Sequence, residues 1–414
     1  MRISDGAKGA GGAMHPVGEL QSALRKITET LATELAEPSE ITPSWSDRDW
    51  ILARAVAATH GVAPLLRSRL RWRGPEGWTE FLEHQAIHTR QRHSRIVELL
   101  DTLHHGCASG GIAAVALKGA ALHAMGVYQP GERPMADIDL LVRPDDAKNT
   151  AELLQSLGFH ESNVTWKERE FTVGDSVERG ALGEHANNPV KIELHERICE
   201  KLPMRITDAT DRVFPTSPEI GLNAYPSRGS LMLHLLLHAA GAMAFQALRL
   251  LHLHDLALLA SRLDDGDWDE VFASRGGRAP WWVLPPLRLT ARYYESRIPA
   301  DALSRAAREC PLPLASLTAR RKLTDVSLSH LRIDAFPGIE WSESTSLALR
   351  YVLTRVRPST EHIAWRARSK SVGWAAGSEW SAMSQGRRVL RWLGSRPQRP
   401  AAMHAVRAAF SAKR

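Results

Sequence analysis

Leu20, Leu24, Ile27, Leu31 and Leu35 recur at intervals of three and four, the spacing of one helical face, and Pro38 closes the run. A second helix is expected from Ser46 or Asp47 through Trp50, Ile51 and Ala55 toward Gly61, and a third after Pro64 through Leu65, Leu66 and Leu70. Another apolar stripe, Ile96, Leu99, Leu100 and Leu103, stops at Gly106, Gly110 and Gly111. The period then changes. Ile112 to Leu117 reads as a short buried strand, the pair Lys118-Gly119 as a turn, and Ala120 to Met125 as a helix of small residues.

The run Asp137-Ile138-Asp139-Leu140-Leu141-Val142 predicts a second strand. Pro144-Asp145-Asp146 caps a helix whose Ala147, Thr150, Ala151, Leu154 and Leu157 share a face, closed by Gly158 and Phe159. Residues 160–189 are polar and dotted with glycine, which predicts a hairpin or a mobile loop. Val190 to His195 alternates strictly, with Ile192 and Leu194 on one face and Lys191, Glu193 and His195 on the other. From Ser230 onward the patterns are helical only: a His-rich pair over Leu231 to Ala260, then Trp281 to Tyr294, Leu303 to Arg308 and Leu347 to Arg357. The expected fold class is therefore α+β, a small mixed sheet flanked by helices, with an N-terminal helical segment and an all-helical C-terminal domain. The expected divisions are a flexible leader over 1–17, a helical region over 18–92, a catalytic core over 93–204, a helical domain over 205–349 and a basic tail over 350–414.

Composition changes this picture little: 43% hydrophobic and 24% charged residues in 414 are ordinary for a folded chain. Cys107, Cys199 and Cys310 are widely separated and lack Cys-x-x-Cys spacing, so neither a disulfide framework nor a zinc knuckle is indicated, and reduced thiols in a cytoplasm fit best. No secretory signal is recognisable, and Leu231 to Ala260 carries His234, His238, Arg249, His252, His254 and Asp255, which a bilayer would penalise, so no transmembrane segment is expected. The net charge of +7 hides an asymmetry. From Arg350 onward 14 Lys and Arg face only Glu361 and Glu379, a local +12 that leaves the preceding residues at −5. Trp365, Trp374, Trp380 and Trp392 lie among those arginines. Such a tail suits a solvated end, an anionic membrane surface, or phosphate contact with base stacking on RNA.

Candidate chemistry centres on the second strand. Alternation places Asp137 and Asp139 on one face, and two neighbouring carboxylates need a cation or strong donors, which points to a hard divalent ion with oxygen ligands. Glu193 on the later strand is a candidate third carboxylate. A glycine opening a helix, Gly119, lets a phosphate approach backbone N–H groups. In this order the parts suit two-metal phosphoryl chemistry on a nucleoside triphosphate.

The arrangement resembles the DNA polymerase beta-like nucleotidyltransferase superfamily, and more closely an uncharacterised nucleotidyltransferase branch of it. The residues that carry the likeness are Lys118-Gly119, Arg133-Pro134-Met135-Ala136 running into Asp137 to Val142, Glu193-Leu194-His195, and the Leu- and His-rich stretch ending at Asp255. The likeness spans about residues 90–262. It implies Mg2+ or Mn2+ bound by Asp137, Asp139 and Glu193, a triphosphate positioned by Lys118 and Gly119, and phosphate neutralised by Arg133. Two departures stand out: Ala120 replaces the hydroxyl of the usual Gly-Ser turn, and Glu196 follows His195 where an aromatic residue is common. The expected function is magnesium-dependent transfer of a nucleoside monophosphate to an unidentified acceptor. The alternative is a catalytically silent adaptor that keeps the fold to bind nucleotide, RNA or a partner.

Each residue also has a plainer reading. Asp137 and Asp139 would then pair with Arg133 or Arg143, Glu193 would lie on a solvated edge, Gly119 would be a tight turn and Lys118 a surface charge. His195 is expected to orient a carboxylate rather than to act as base, and His234 and His238, lacking a third ligand, to make core or interdomain hydrogen bonds. Acceptor and oligomeric state are left open by the sequence.

Overall fold

The small residues of Ala113–Ala116 form the strand β1, and what lies on either side of it organises the computed structural model, which describes residues 16–174, 182–274, 279–359, 383–394 and 398–411. Before it come α1 (Val17–Ala36), α2 (Asp47–Thr59), α3 (Ala63–Arg69) and α4 (Glu76–Ser109). Then follow α5 (Gly119–Ala124), β2 (Asp137–Val142), α6 (Ala147–Ser156), β3 (Phe159–Val164), β4 (Arg169–Val173), β5 (Lys191–His195), β6 (Cys199–Leu202), β7 (Arg205–Asp208), α7 (Thr210–Val213) and β8 (Gly221–Asn223). Helices α8 (Arg228–Ala244), α9 (Leu250–Ala260), α10 (Asp265–Phe272), α11 (Leu284–Tyr293), α12 (Ala300–Glu309), α13 (Leu312–Thr318), α14 (Leu323–Val326), α15 (Thr345–Val356), α16 (Gln385–Gly394) and α17 (Pro400–Ser411) complete the described chain. The fold is mixed α and β.

One sheet of six strands runs β3-β4-β5-β2-β1-β8, and β6 and β7 pair separately. β2 lies antiparallel to β1 and parallel to β5, in a register that sets Asp137 beside Lys191, Asp139 beside Glu193 and Leu141 beside His195. Strand alternation then divides the side chains between two cores. Ile138, Leu140, Val142, Ile192 and Leu194 pack with Ile96, Leu103, Leu154 and Phe171 under α4 and α6. Val115, Leu117 and Leu141 face the other way, into a larger core shared by α8, α9 and the N-terminal helices. Asp137 and Asp139 lie on that second face, toward its open end.

Leu20, Leu24, Ile27, Leu31 and Leu35 of α1 are all buried, each worth roughly 1.5–3 kcal/mol of transfer free energy. They share that core with Leu231 to Leu331, so the N-terminal and C-terminal helices are one packing unit around the sheet. α2 opens on a reciprocal cap in which Asp49 N–H donates to Ser46 Oγ and Ser46 N–H donates to Asp49 Oδ2, both at 3.3 Å.

Several elements cross the expected divisions. The break at 92–93 falls inside α4, a continuous helix of 34 residues. Residues 205–227 begin with strands, and β8 extends the sheet beside β1, so the sheet unit runs past 204. Residues 159–173 form the hairpin β3–β4. Part of the basic tail is core: Met403, Val406 and Ala409 of α17 are buried, with Ala409 against Ile51 and Ala55 of α2. Trp392 stacks under the Arg355 guanidinium at 5.4 Å, whereas Trp365, Trp374 and Trp380, and the leader up to residue 15, lie outside the described residues. Among the described residues no helix is long and apolar enough to cross a membrane, and the three cysteines are free and buried.

Candidate active site

Lys118, between β1 and α5, adopts φ 46° and ψ −109°, a conformation costly for any residue with a Cβ. Its backbone N–H donates to Tyr225 Oη at 3.2 Å, and Tyr225 Oη is hydrogen-bonded with His234 Nδ1 at 2.7 Å. This backbone turns the Lys118 side chain toward β2, where Nζ meets Asp139 Oδ1 at 2.7 Å. His195 Nε2 lies 3.0 Å from the same oxygen and 3.8 Å from Glu193 Oε2. Asp139, Glu193 and His195 each present one ligand atom within 4.8 Å of the other two. Asp137 shares their face two residues before Asp139.

The approach to β2 is held from α4. Arg92, 2% exposed, donates to the carbonyls of Met135 and Ala136 at 3.1 and 3.2 Å and to that of Asn188 at 2.6 Å, and pairs with Glu184 at 2.9 Å. One buried cation thus fixes both segments that feed the acidic strands.

The charges in this cluster do not balance. Burial, Asp137 and Asp139 together push the Glu193 carboxyl up to about 9, and burial with Asp139 raises Asp137 as well. Burial would raise Asp139 too, but Lys118 and His195 outweigh it and hold that carboxyl well below the usual range. Burial would lower Lys118, and the surrounding carboxylates more than reverse it. One ammonium therefore faces three carboxylates, an excess of acidic groups that suits a divalent cation. Of these three, Asp139 and Glu193 present oxygens within 4.8 Å of each other and of His195, and Asp137 lines one cavity with both of them without joining that group.

The other two phosphate candidates, Gly119 and Arg133, also line the cavity in front of the carboxylates and are engaged by neighbouring protein groups. Arg133 is 9% exposed and spends its guanidinium on Asp255, with Nε and Nη2 at 2.9 and 2.8 Å, while Tyr128 donates to the same carboxylate at 2.6 Å. At Gly119 a Cβ would run into the Arg133 guanidinium and into Met135 Sδ at 2.6 Å, so the glycine admits the 133–135 loop. The N–H of Ala120 is bonded to the Leu117 carbonyl at 3.1 Å.

A cavity of about 440 Å³ opens in front of the carboxylates, between the sheet and the α8–α9 pair. Lys118, Asp137, Asp139 and Glu193 line one side, and Leu235, His238, Phe245 and His252 the other. Arg249, at the start of α9, is exposed in this cavity and forms no ion pair among the described residues. It was missed from sequence, although an arginine inside the run Ala247 to Leu251 is a visible break in an apolar stretch. Glu200, also missed, is held at about 2: burial would raise it, but His238 and Lys167, whose Nζ is 2.6 Å away, win. His234 and His238 do not converge on a shared ligand; His234 bonds Tyr225, and His238 Nδ1 lies 3.6 Å from Glu200.

Among known proteins, the model of a family described as an uncharacterised nucleotidyltransferase matches residues 46–279, from α2 to just beyond α10. No curated protein and no solved structure gives a match.

Proposed function

The chain belongs to this uncharacterised nucleotidyltransferase family, whose match covers more than half of it, and from that premise we propose that the cavity transfers a nucleoside monophosphate from a nucleoside triphosphate to a hydroxyl or phosphate acceptor. The observation that carries the reading is the pairing of Asp139 with Glu193 across β2 and β5, with Asp137 on the same face and a cavity in front of all three.

In this reading Asp137, Asp139 and Glu193 hold Mg2+ or Mn2+. Neutralisation of the triphosphate and of charge developing on the leaving pyrophosphate is what such an ion supplies when bound. Lys118 from the β1 side and Arg249 from the α9 side contribute positive charge for phosphate oxygens. The apolar wall of Leu235, Ala242, Phe245 and Leu251 excludes water, so that an acceptor seated there meets the triphosphate in a fixed orientation. Catalysis is then mostly positioning and charge stabilisation, with no covalent intermediate on a side chain.

The test is to incubate the protein with Mg2+ or Mn2+, each α-labelled nucleoside triphosphate and cell extract. One labelled species should appear together with pyrophosphate, and neither with Asp139→Asn. A second reading is favoured by the Lys118–Asp139 pair and by Ala120, which leaves the turn without a hydroxyl: a silent nucleotide-binding or RNA-binding adaptor. Nucleotide binding with no pyrophosphate release in any extract would establish that reading instead.

A further inference from the structure

We infer that His195 is a nitrogen ligand of the cation site, that Glu168 orients it, and that the site consequently takes Mn2+ in preference to Mg2+; the inference rests on the carboxylate site proposed above. His195 follows Glu193 by two residues on β5 and so emerges on the same face. It is 1% exposed, and its two ring nitrogens have unlike surroundings. Nε2 points at Asp139 Oδ1 and Glu193 Oε2, at 3.0 and 3.8 Å. Nδ1 is buried with no hydrogen-bond partner, and Glu168 Oε2 lies 3.9 Å from it. Glu168 reaches that position through the sheet: β4 runs antiparallel to β5 with Arg169 opposite Leu194, so the preceding residue comes up beside His195.

The tautomer follows from what a carboxylate is able to do. Asp139 and Glu168 both only accept, and a neutral ring has one hydrogen, so with Nε2–H donated to Asp139 at 3.0 Å the buried Nδ1 presents a lone pair toward Glu168. A metal ion on Nε2 reverses this: it takes the Nε2 lone pair and leaves the hydrogen on Nδ1, facing the Glu168 acceptor. A metal ion shared by Asp139, Glu193 and His195 satisfies all three, and the Glu168 carboxylate is then the outer partner that metal-bound imidazoles ordinarily have. An imidazole among the ligands disfavours Mg2+, which prefers oxygen, relative to ions such as Mn2+.

The experiment loads the full-length protein with Mn2+ and inorganic tripolyphosphate, a nitrogen-free stand-in for a nucleotide, and records electron spin-echo modulation alongside Mn2+ and Mg2+ affinities. Coupling of Mn2+ to one nitrogen is expected, lost in His195→Asn. Glu168→Gln, at a partly exposed position that tolerates change, should weaken Mn2+ binding by roughly tenfold and Mg2+ binding much less. Mn2+ bound without nitrogen coupling, at an affinity unchanged in Glu168→Gln, overturns the inference and leaves the carboxylate site standing. Absence of any Mn2+ binding overturns both.

Discussion

Lys118 Nζ and Asp139 Oδ1 are 2.7 Å apart in a site where both side chains are largely hidden from solvent. His195 Nε2 lies 3.0 Å from the same Asp139 oxygen, so this carboxylate is where the site's side-chain contacts converge. Asp139→Asn should therefore lower pyrophosphate release at least a thousandfold. It should also destabilise the protein by about 3 kcal/mol, the low end for breaking a buried pair, because Asp137 and Glu193 still face the ammonium. Pyrophosphate assay and urea unfolding check the two parts separately, and turnover near the wild-type rate would remove Asp139 from the chemistry.

Glu193 gives the opposite sign for stability. Without a divalent ion its carboxyl, pushed up to about 9, must hold a proton at neutral pH that the unfolded chain has already released. Glu193→Gln removes that requirement and should stabilise the metal-free protein at pH 7.5 by about 1–3 kcal/mol while abolishing transfer. Melting in EDTA should show the variant above wild type. Addition of Mn2+ should reverse the order, and a variant less stable than wild type in EDTA would contradict the crowding of charge described here.

Arg133 and Asp255 form a buried pair, and a structural role predicts a pattern that phosphate binding does not. Asp255→Asn leaves the Arg133 guanidinium buried and short of a full partner, at about 3–5 kcal/mol. Arg133→Met leaves Asp255 buried with only Tyr128, at a similar cost. The double variant should recover at least 2 kcal/mol of the summed loss, since neither charge remains. Additive losses in urea, or a raised KM for triphosphate in Arg133→Lys with stability intact, would return Arg133 to the phosphate.

Why some of this was legible from sequence and some was not comes down to periodicity. Val190 to His195 alternates strictly and Asp137-Ile138-Asp139 opens its strand on the same period, and a period of two fixes which side chains share a face, so the common face of the carboxylates followed from the pattern. The first half of α4 was hidden because its buried positions include Gln85, Thr89 and Arg92, and polar residues in the core erase the apolar stripe. β8 has three residues, too few for any period to register. In α17 the buried side includes three alanines, Ala402, Ala408 and Ala409, set among basic residues, which reads as a solvated tail. The Arg133–Asp255 pair joins positions 122 residues apart, and no local signal announces such a partner. For His195 the pattern implies only a partner for a carboxylate, because its unpartnered Nδ1 arises from packing between β4 and β5 that no sequence period encodes.

His60 ties together helices distant in sequence, and its protonation should set the acid limit of the fold. It is 1% exposed, and its Nδ1 accepts the Leu250 N–H at 2.9 Å, so the ring is neutral with hydrogen on Nε2, which donates to Ser329 Oγ at 3.0 Å. Ser329 in turn lies 2.6 Å from Thr28 Oγ1 of α1. Burial, with Arg249 adding to it, lowers the imidazole to about 3. Below pH 6.5 the unfolded chain takes up a proton that the folded one refuses, so stability is fully present above that pH and declines as pH falls, by up to about 1.4 kcal/mol per unit from this residue. His60→Gln loses buried hydrogen bonds and should be less stable at pH 7.5 by about 1–3 kcal/mol, yet it has no proton to gain. The gap between the two proteins in urea unfolding should therefore close by about 1–2 kcal/mol between pH 7.5 and pH 5. Taking the difference cancels the contrary slope of Glu193 and the shared contributions of the other buried histidines. A gap that stays constant over this range would mean that the imidazole is charged in the folded state, and that the Leu250 N–H is bonded elsewhere.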